Sequence, residues 1–476
     1  MHRDEASSTP TRPHLASIPM APSMLVVAIV ATISTGHPEP PVELSRSTRD
    51  AVEALPTVPL DERVNRERMT TLAPPPVETT IVQPVAAEHR IATDRGQTDL
   101  DEQSWTTARA SLRRGLLWLQ NRQSVRGGWM EGTAVLPTDQ PPREAAAAIA
   151  VTAMGVKAMA QTPDDDFEET RNRGLEFVVR SIDARGIEGL ATGGLGNYVA
   201  SAVTMGLAAV GTDSPASRPL MTKTVEYLKS GQWNQTKGVA PSQDWFGGAG
   251  YGRHGRPDLS NTQMMLDALY DAGVSPSEPV VQRALVFLGR TQNHKATNPA
   301  PWAQSGSDDG GFIYTPANGG ESFGSQAAGE GRYGETMPAG APRSLRSYGS
   351  MTYAGFKSLL YAGLSSDDPR VIAALGWIRR HWTFDENPGL GQQGLYYYLH
   401  AMARALRASG IDVITTADGT DHDWRRELIA AIETRQNPDG SWKNPVDRWE
   451  ESRPELATIY ATLALQEALK PTVEIE

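Results

Sequence analysis

The constraint that dominates this 476-residue chain is a spacing that recurs along it. An apolar helix ends near a glutamine, and a Gly-x-Trp turn follows. The fullest copy is Trp118-Leu119, Gln123, Gly127 and Trp129. The same spacing returns at Ile432, Gln436, Gly440 and Trp442. Partial copies start at Tyr227-Leu228-Gln232 and Phe287-Leu288-Gln292. A fifth, Trp377-Ile378, has Trp382 where glutamine belongs, and the weakest, Phe177-Val178, has Ile182 there. Self-similarity at a fixed period means one supersecondary unit stacked on copies of itself.

Each copy is followed by a loop and a second apolar helix. The spacing predicts first helices near Ala108 to Leu119, Glu168 to Ser181, Pro219 to Lys229, Pro279 to Arg290, Pro369 to Arg380 and His422 to Thr434. It predicts second helices near Glu144 to Met159, Asn197 to Val210, Ser260 to Ala272, Ser347 to Tyr361, Gly394 to Arg407 and Pro454 to Leu469. The first set is amphipathic and charged. The second is rich in Ala, Met, Leu and Gly almost all round, as buried helices are. An open solenoid needs polar end caps, yet here the end repeats carry the fullest motifs. The expected fold is therefore all-α: six inner helices closed into a ring with six outside, a six-fold α/α toroid.

The segments Trp118 to Trp129 and Gln436 to Trp442 resemble the QW motif of the prenyltransferase and squalene oxidase repeat, the squalene-hopene cyclase-like family. The resemblance spans Ala108 to Leu469 and implies the terpenoid cyclase and protein prenyltransferase toroid. The motif itself reads as structural: glutamine bonds free backbone groups at the helix–loop junction and Trp packs the turn. The family's chemistries are missing. Squalene-hopene cyclases carry an Asp-x-Asp-Asp-Thr acid, and nothing here matches it; Asp164-Asp165-Asp166 reads as a loop before an outer helix. Prenyltransferases hold zinc with an Asp, a Cys and a His, and thioester members need a Cys. This chain has no Cys. No metal site and no cofactor are expected.

The tail differs from the body. The first 100 residues hold none of the Phe, Trp or Tyr and 13 of the 34 prolines, a composition that cannot build a core. Residues 1–36 include the apolar run Met24 to Ser34, of signal-peptide length. Residues 37–99 read as a disordered Pro-rich linker, and 100–470 as the toroid. Export to the periplasm or beyond is the expectation, with a cytoplasmic location as the alternative. No apolar run reaches the length of a membrane span. A net charge of −11 argues against nucleic acid.

Loop lengths point to one working face. Outer-to-inner connections run to about 56 residues, whereas inner-to-outer ones are mostly about 6 to 8. All the long loops share a face with the inner-helix N-termini, which favours an anionic group there. Candidate ligand-binding residues are Trp245, Phe246, Tyr251 and Arg253 in the Gly-rich loop, with Tyr348 and Tyr396 near inner-helix starts. Candidate catalytic residues are Asp258, the pair Asp308 and Asp309, and His400, four after Tyr396. Each has a plainer reading: Asp258 as a cap, the pair as Asp-Asp-Gly-Gly turn chemistry, His400 as an interior histidine. The Gly-rich stretch 303–342 reads as a lid or a mobile loop. Three functions fit. One is a cyclase-like ring binding an isoprenoid or another bulky apolar molecule. Another is an exported, non-catalytic module binding peptide, glycan or protein on the long-loop face. The third is a polysaccharide lyase or hydrolase, in which Asp308, Asp309, Tyr396 and His400 would have to converge.

Overall fold

The structure is a computed structural model and describes residues 90–130, 142–191, 193–211, 217–317 and 345–471. The signal segment, most of the linker and most of the Gly-rich stretch 303–342 lie outside the described residues. The outer helices are α1 (Glu102–Arg122), α3 (Glu168–Ala191), α5 (Ser217–Gly231), α7 (Pro279–Thr291), α9 (Pro369–Arg380) and α11 (Trp424–Glu433). The inner ones are α2 (Pro142–Ala160), α4 (Gly196–Val210), α6 (Leu259–Asp271), α8 (Gly349–Tyr361), α10 (Leu395–Ser409) and α12 (Pro454–Leu469). All twelve fall where the repeat spacing places them. A small hairpin, β1 (Val413–Thr415) with β2 (Asp421–Asp423), joins α10 to α11.

The inner helices touch in sequence order, and α12 packs on α2 to close the ring. The outer layer closes too, α11 on α1. Burial follows the two roles. Every residue of α4 from Gly196 to Ala209 is buried, whereas α1 buries mainly Ala108, Ser111, Leu112, Gly115, Leu116 and Leu119. Residues 90–99, assigned to the linker from composition, instead pack on the ring at its closure: Ile91 and Ala92 are buried, with Ile91 N donating to Gln161 O at 3.0 Å and Ala92 N to Leu469 O at 2.9 Å.

The motif glutamines staple neighbouring repeats. Gln123 Nε2 donates to Gly127 O of its own turn and to Thr170 O of the next outer helix, both at 2.8 Å. Gln436 repeats this across the closure, to Gly440 O and Ser111 O, both at 2.9 Å. Gln232 (Gly247 O and Val280 O) and Gln292 (Gly310 O and Arg370 O) do the same. In those two copies an insertion separates glutamine from glycine, and Ala249 and Phe312 stand in the Trp position. Trp129 and Trp442 bury their rings and donate Nε1 to Leu119 O and Ile432 O at 2.8 Å. The turn glycines are obligatory: Gly127 has φ 97, and a Cβ there would stand 2.3 Å from Arg173 O.

Candidate functional site

The two ends of the inner ring differ in charge logic. At the C-terminal end, the free carbonyls of six helices gather negative partial charge. The sequence places cations there. Lys157 of α2 meets Asp271 of α6 at 2.6 Å, and Lys357 of α8 meets Asp267 of α6 at 2.6 Å. Arg404 of α10 reaches Asp271 at 2.8 Å and also the Met205 sulfur of α4, on the opposite side of the ring, at 3.8 Å. Lys470 pairs with Glu467 at 2.7 Å. Side chains spanning the ring's width close this end as an ionic plug. Burial pushes the Lys157 amine down to about 8, with Arg404 adding to the fall.

At the N-terminal end the sequence places acids. Asp258 caps α6: Oδ1 accepts from Asn261 N at 2.7 Å and Oδ2 from Asn261 Nδ2 at 2.8 Å. Burial pushes its carboxyl up to about 7, against the pull of the Asn261 bonds. Glu451 accepts from Tyr396 N at 3.1 Å and Tyr397 N at 2.8 Å in the first turn of α10. Burial raises it to about 7 as well, against its bond to Asn444 and those backbone donors. Two of the six inner-helix N-termini, those of α6 and α10, are thus answered by the chain's own carboxyls.

Between mouth and plug the inner faces carry tyrosines. Tyr198 OH lies 2.7 Å from Ser260 Oγ, and Tyr251 OH lies 3.0 Å from Tyr314 OH. The Tyr198 and Tyr251 rings are 5.5 Å apart. Gln263 Nε2 donates to Tyr397 OH at 3.2 Å, and Tyr460 packs on Tyr397 and on His400, each at 5.8 Å. Tyr397 and His400 keep accessible surface although they sit on an inner helix among fully buried neighbours. They therefore line an interior space. Small or flexible residues make room beside them: Ala147, Ala150 and Met154 fall on one stripe with Lys157 by helical spacing, as do Ser201 and Met205 on α4. Burial drives His400 well below its usual value, and Arg404, Lys357 and Lys157 reinforce this. It is neutral, and its Nε2 has no partner among the described residues; Ser201 Oγ, fully buried, has none either.

The candidate residues read from sequence divide between several places. Tyr251 and His400 line the interior. Asp258 and Tyr348 stand at its mouth; Tyr348 is the N-cap residue of α8 and buried. Tyr396, buried in the first turn of α10, stands near Glu451 and Arg435. The rest lie at the outer turns. Trp245 packs edge-on against Trp233 at 4.8 Å, Phe246 is buried beside it in sequence, and Arg253 pairs with Glu188 over the Tyr227 ring. Asp309 accepts from Gly311 N at 2.9 Å and Ser347 Oγ at 2.8 Å, and Asp308 accepts from Lys295 N at 2.8 Å. The Gly311 bond is a turn bond, which Asp439 in the last repeat matches by accepting from Ser441 N at 3.0 Å; the other two tie the turn to neighbouring loops. Asp308 and Asp309 do not join Tyr396 and His400. The sequence reading missed Tyr397, Glu450, Glu451 and the plug. The plug had a visible signal, charged residues inside otherwise apolar helices (Lys157, Asp267, Lys357, Arg404).

Residues 100–312, the first three repeats and the start of the fourth, match the squalene-hopene cyclase C-terminal domain family. Over those residues the chain is squalene-hopene cyclase-like. Solved structures of the type II terpene cyclase MstE from Scytonema overlap it. One, of a variant bound to its product merosterolic acid A, is 14% identical and covers 78% of this chain and 99% of that one, with a TM-score of 0.43. Another, bound to the substrate geranylgeranyl dihydroxybenzoate, is 14% identical over 79% and 100%, with a TM-score of 0.43. The likeness rests on the match over 100–312, not on these overlaps. No curated protein matches the chain by sequence. Among the described residues no helix is long and apolar enough to cross a membrane.

Proposed function

We propose that this squalene-hopene cyclase-like ring binds an isoprenoid or another bulky apolar molecule in the space between the tyrosine mouth and the ionic plug. The observation that carries this reading is the accessible surface kept by Tyr397 and His400 at the heart of the ring. Aromatic faces, methionines and alanines make such a space mainly apolar, with few polar groups to orient a ligand, as small-molecule sites are. The plug leaves the long-loop face as the way in. Alkene protonation needs a strong, uncommitted acid. Asp258 and Glu451 are weak acids, each raised to about 7, and both are spent on helix N-termini. This supports a ligand-binding role over cyclisation by alkene protonation. The test is lipid extraction and mass spectrometry on the full chain purified from a host that makes isoprenoids. A stoichiometric polyprenyl or triterpene species is the expected result. Protein that is empty, and stays empty when challenged with prenyl lipids, overturns the reading.

We also propose that the protein is exported, on the support of the apolar run Met24 to Ser34. N-terminal sequencing of the protein recovered from its source cells checks it; an intact Met1 terminus in the cytosolic fraction would refute it.

A further inference from the structure

Glu450 does not follow the rule that the other mouth acids obey. Asp258 and Glu451 cap helices; the Glu450 side chain caps none. Its backbone is left-handed, φ 62, which a residue with a Cβ rarely adopts. It is only 6% exposed, and its Oε2 has no partner among the described residues. A strained backbone that holds an unspent, buried oxygen points to a group kept for a ligand. The charged groups that face it are Arg453 beside it in the turn, Asp447 on its own loop, and Arg143 in the first turn of α2. Arg143 in turn interacts with Tyr251, which reaches the interior through Tyr198 and Tyr314. Burial pushes the Glu450 carboxyl up to about 7; Arg453 and Arg143 work against this and Asp447 with it.

We propose that Glu450 and Arg143 form a head-group site at the mouth, which takes the oxyanion end of an amphiphile, a carboxylate or a phosphate monoester, whose apolar tail lies in the tyrosine-lined interior. The proposal rests on the interior being a ligand space. Arg143 supplies a fixed positive charge and planar donors suited to an oxyanion. The first turn of α2 adds the positive end of its dipole. A protonated Glu450 donates one hydrogen bond to the oxyanion; an ionised one would repel it. The head therefore stays at the long-loop face and the tail points to the plug.

The experiment is calorimetric titration of the full chain with geranylgeranoic acid, geranylgeranyl phosphate and geranylgeraniol, which share one tail. At about pH 6, at least one of the two anions should bind about tenfold or more tighter than the alcohol. Which anion wins distinguishes the two head groups. The pH arm uses the carboxylic acid, whose own group is ionised throughout. Its preference over the alcohol should fall about tenfold by about pH 8.5, as Glu450 ionises. Glu450→Gln keeps a neutral donor and should bind the acid equally at both pH values. Arg143→Gln should bind acid and alcohol alike. Equal affinity for all three ligands in the native chain overturns this proposal but leaves the ligand space standing. Glu450→Gln retaining the native pH dependence overturns it as well. Failure of the alcohol and both anions to bind overturns the ligand space itself.

Discussion

Replacing Glu450 by glycine should stabilise the protein, although it deletes a buried side chain. A residue with a Cβ pays about 1–2 kcal/mol to sit in the left-handed region that Glu450 occupies, φ 62. Glycine recovers that, less about 0.5–1 kcal/mol for its freer unfolded backbone. The unpartnered Oε2 is a second cost, about 1–3 kcal/mol for a buried polar group without its bond. Against these stand the two buried methylenes, about 0.8 kcal/mol each. The balance favours Glu450→Gly by about 1 kcal/mol. The backbone bond from Arg453 N to Glu450 O at 2.8 Å survives the change. Urea unfolding at neutral pH reads it as a higher midpoint with an unchanged slope. A loss of more than about 1 kcal/mol would refute the reasoning, because it would mean that the carboxyl holds a structural bond and is not idle. The same variant should lose its preference for an anionic head.

Three other outcomes follow from the geometry. Gln436→Leu strands Ser111 O and Gly440 O at the ring closure, so unfolding free energy should drop by about 2–4 kcal/mol; a drop under about 1 would show that the closure does not depend on the staple. Lys357→Met leaves Asp267 facing a lost partner in the plug and should cost about 3–5 kcal/mol; adding Asp267→Asn should restore about half or more, and simple additivity of the two losses would contradict a coupled pair. Stability should fall as pH rises from about 4 to about 7. Asp258, Glu450 and Glu451 keep their protons to about 7 when folded, against ordinary values of 3.8, 4.5 and 4.5, so across that window the folded state holds protons the unfolded state has released. Glu467 acts the other way at lower pH: burial opposes its ionisation, yet Lys470 and Arg404 hold it down to about 2, so its contribution is lost as pH falls from 4.5 towards 2. Urea midpoints across pH 4.5–8 check this; a midpoint that climbs steadily through the window would refute it.

The architecture was legible because it is written in local periodicity. Twelve helices and their alternating roles follow from apolar spacing, and ring closure from the matched end repeats. The third and fourth turns were not legible. Gln232 bonds a glycine 15 residues on and Gln292 one 18 residues on, where the complete copies need four. An insertion there leaves the three-dimensional staple intact and erases the linear pattern. The candidate site was half legible. Tyr251, Asp258 and Tyr348 stand near one another at the N-terminal end of the ring, whereas His400 lies deeper, near the plug cations Arg404, Lys357 and Lys157. Asp308, Asp309, Trp245 and Arg253 belong to turns, because Asp-Gly and aromatic-Gly pairs look alike in a turn and in a site. Glu450 carries no sequence signal at all. Its interest lies in a backbone angle and an unpaired oxygen, which only the folded chain displays.

The most direct test of the central claim is photo-crosslinking of the full chain with a geranylgeranyl probe that carries a diazirine on its tail, followed by peptide mass spectrometry. The account predicts labels on inner-face peptides of α4, α6, α10 and α12, around Ser201, Met264, Tyr397, His400 and Tyr460, competed away by unlabelled ligand. Labels confined to the outer helices, or insensitive to competitor, would contradict it.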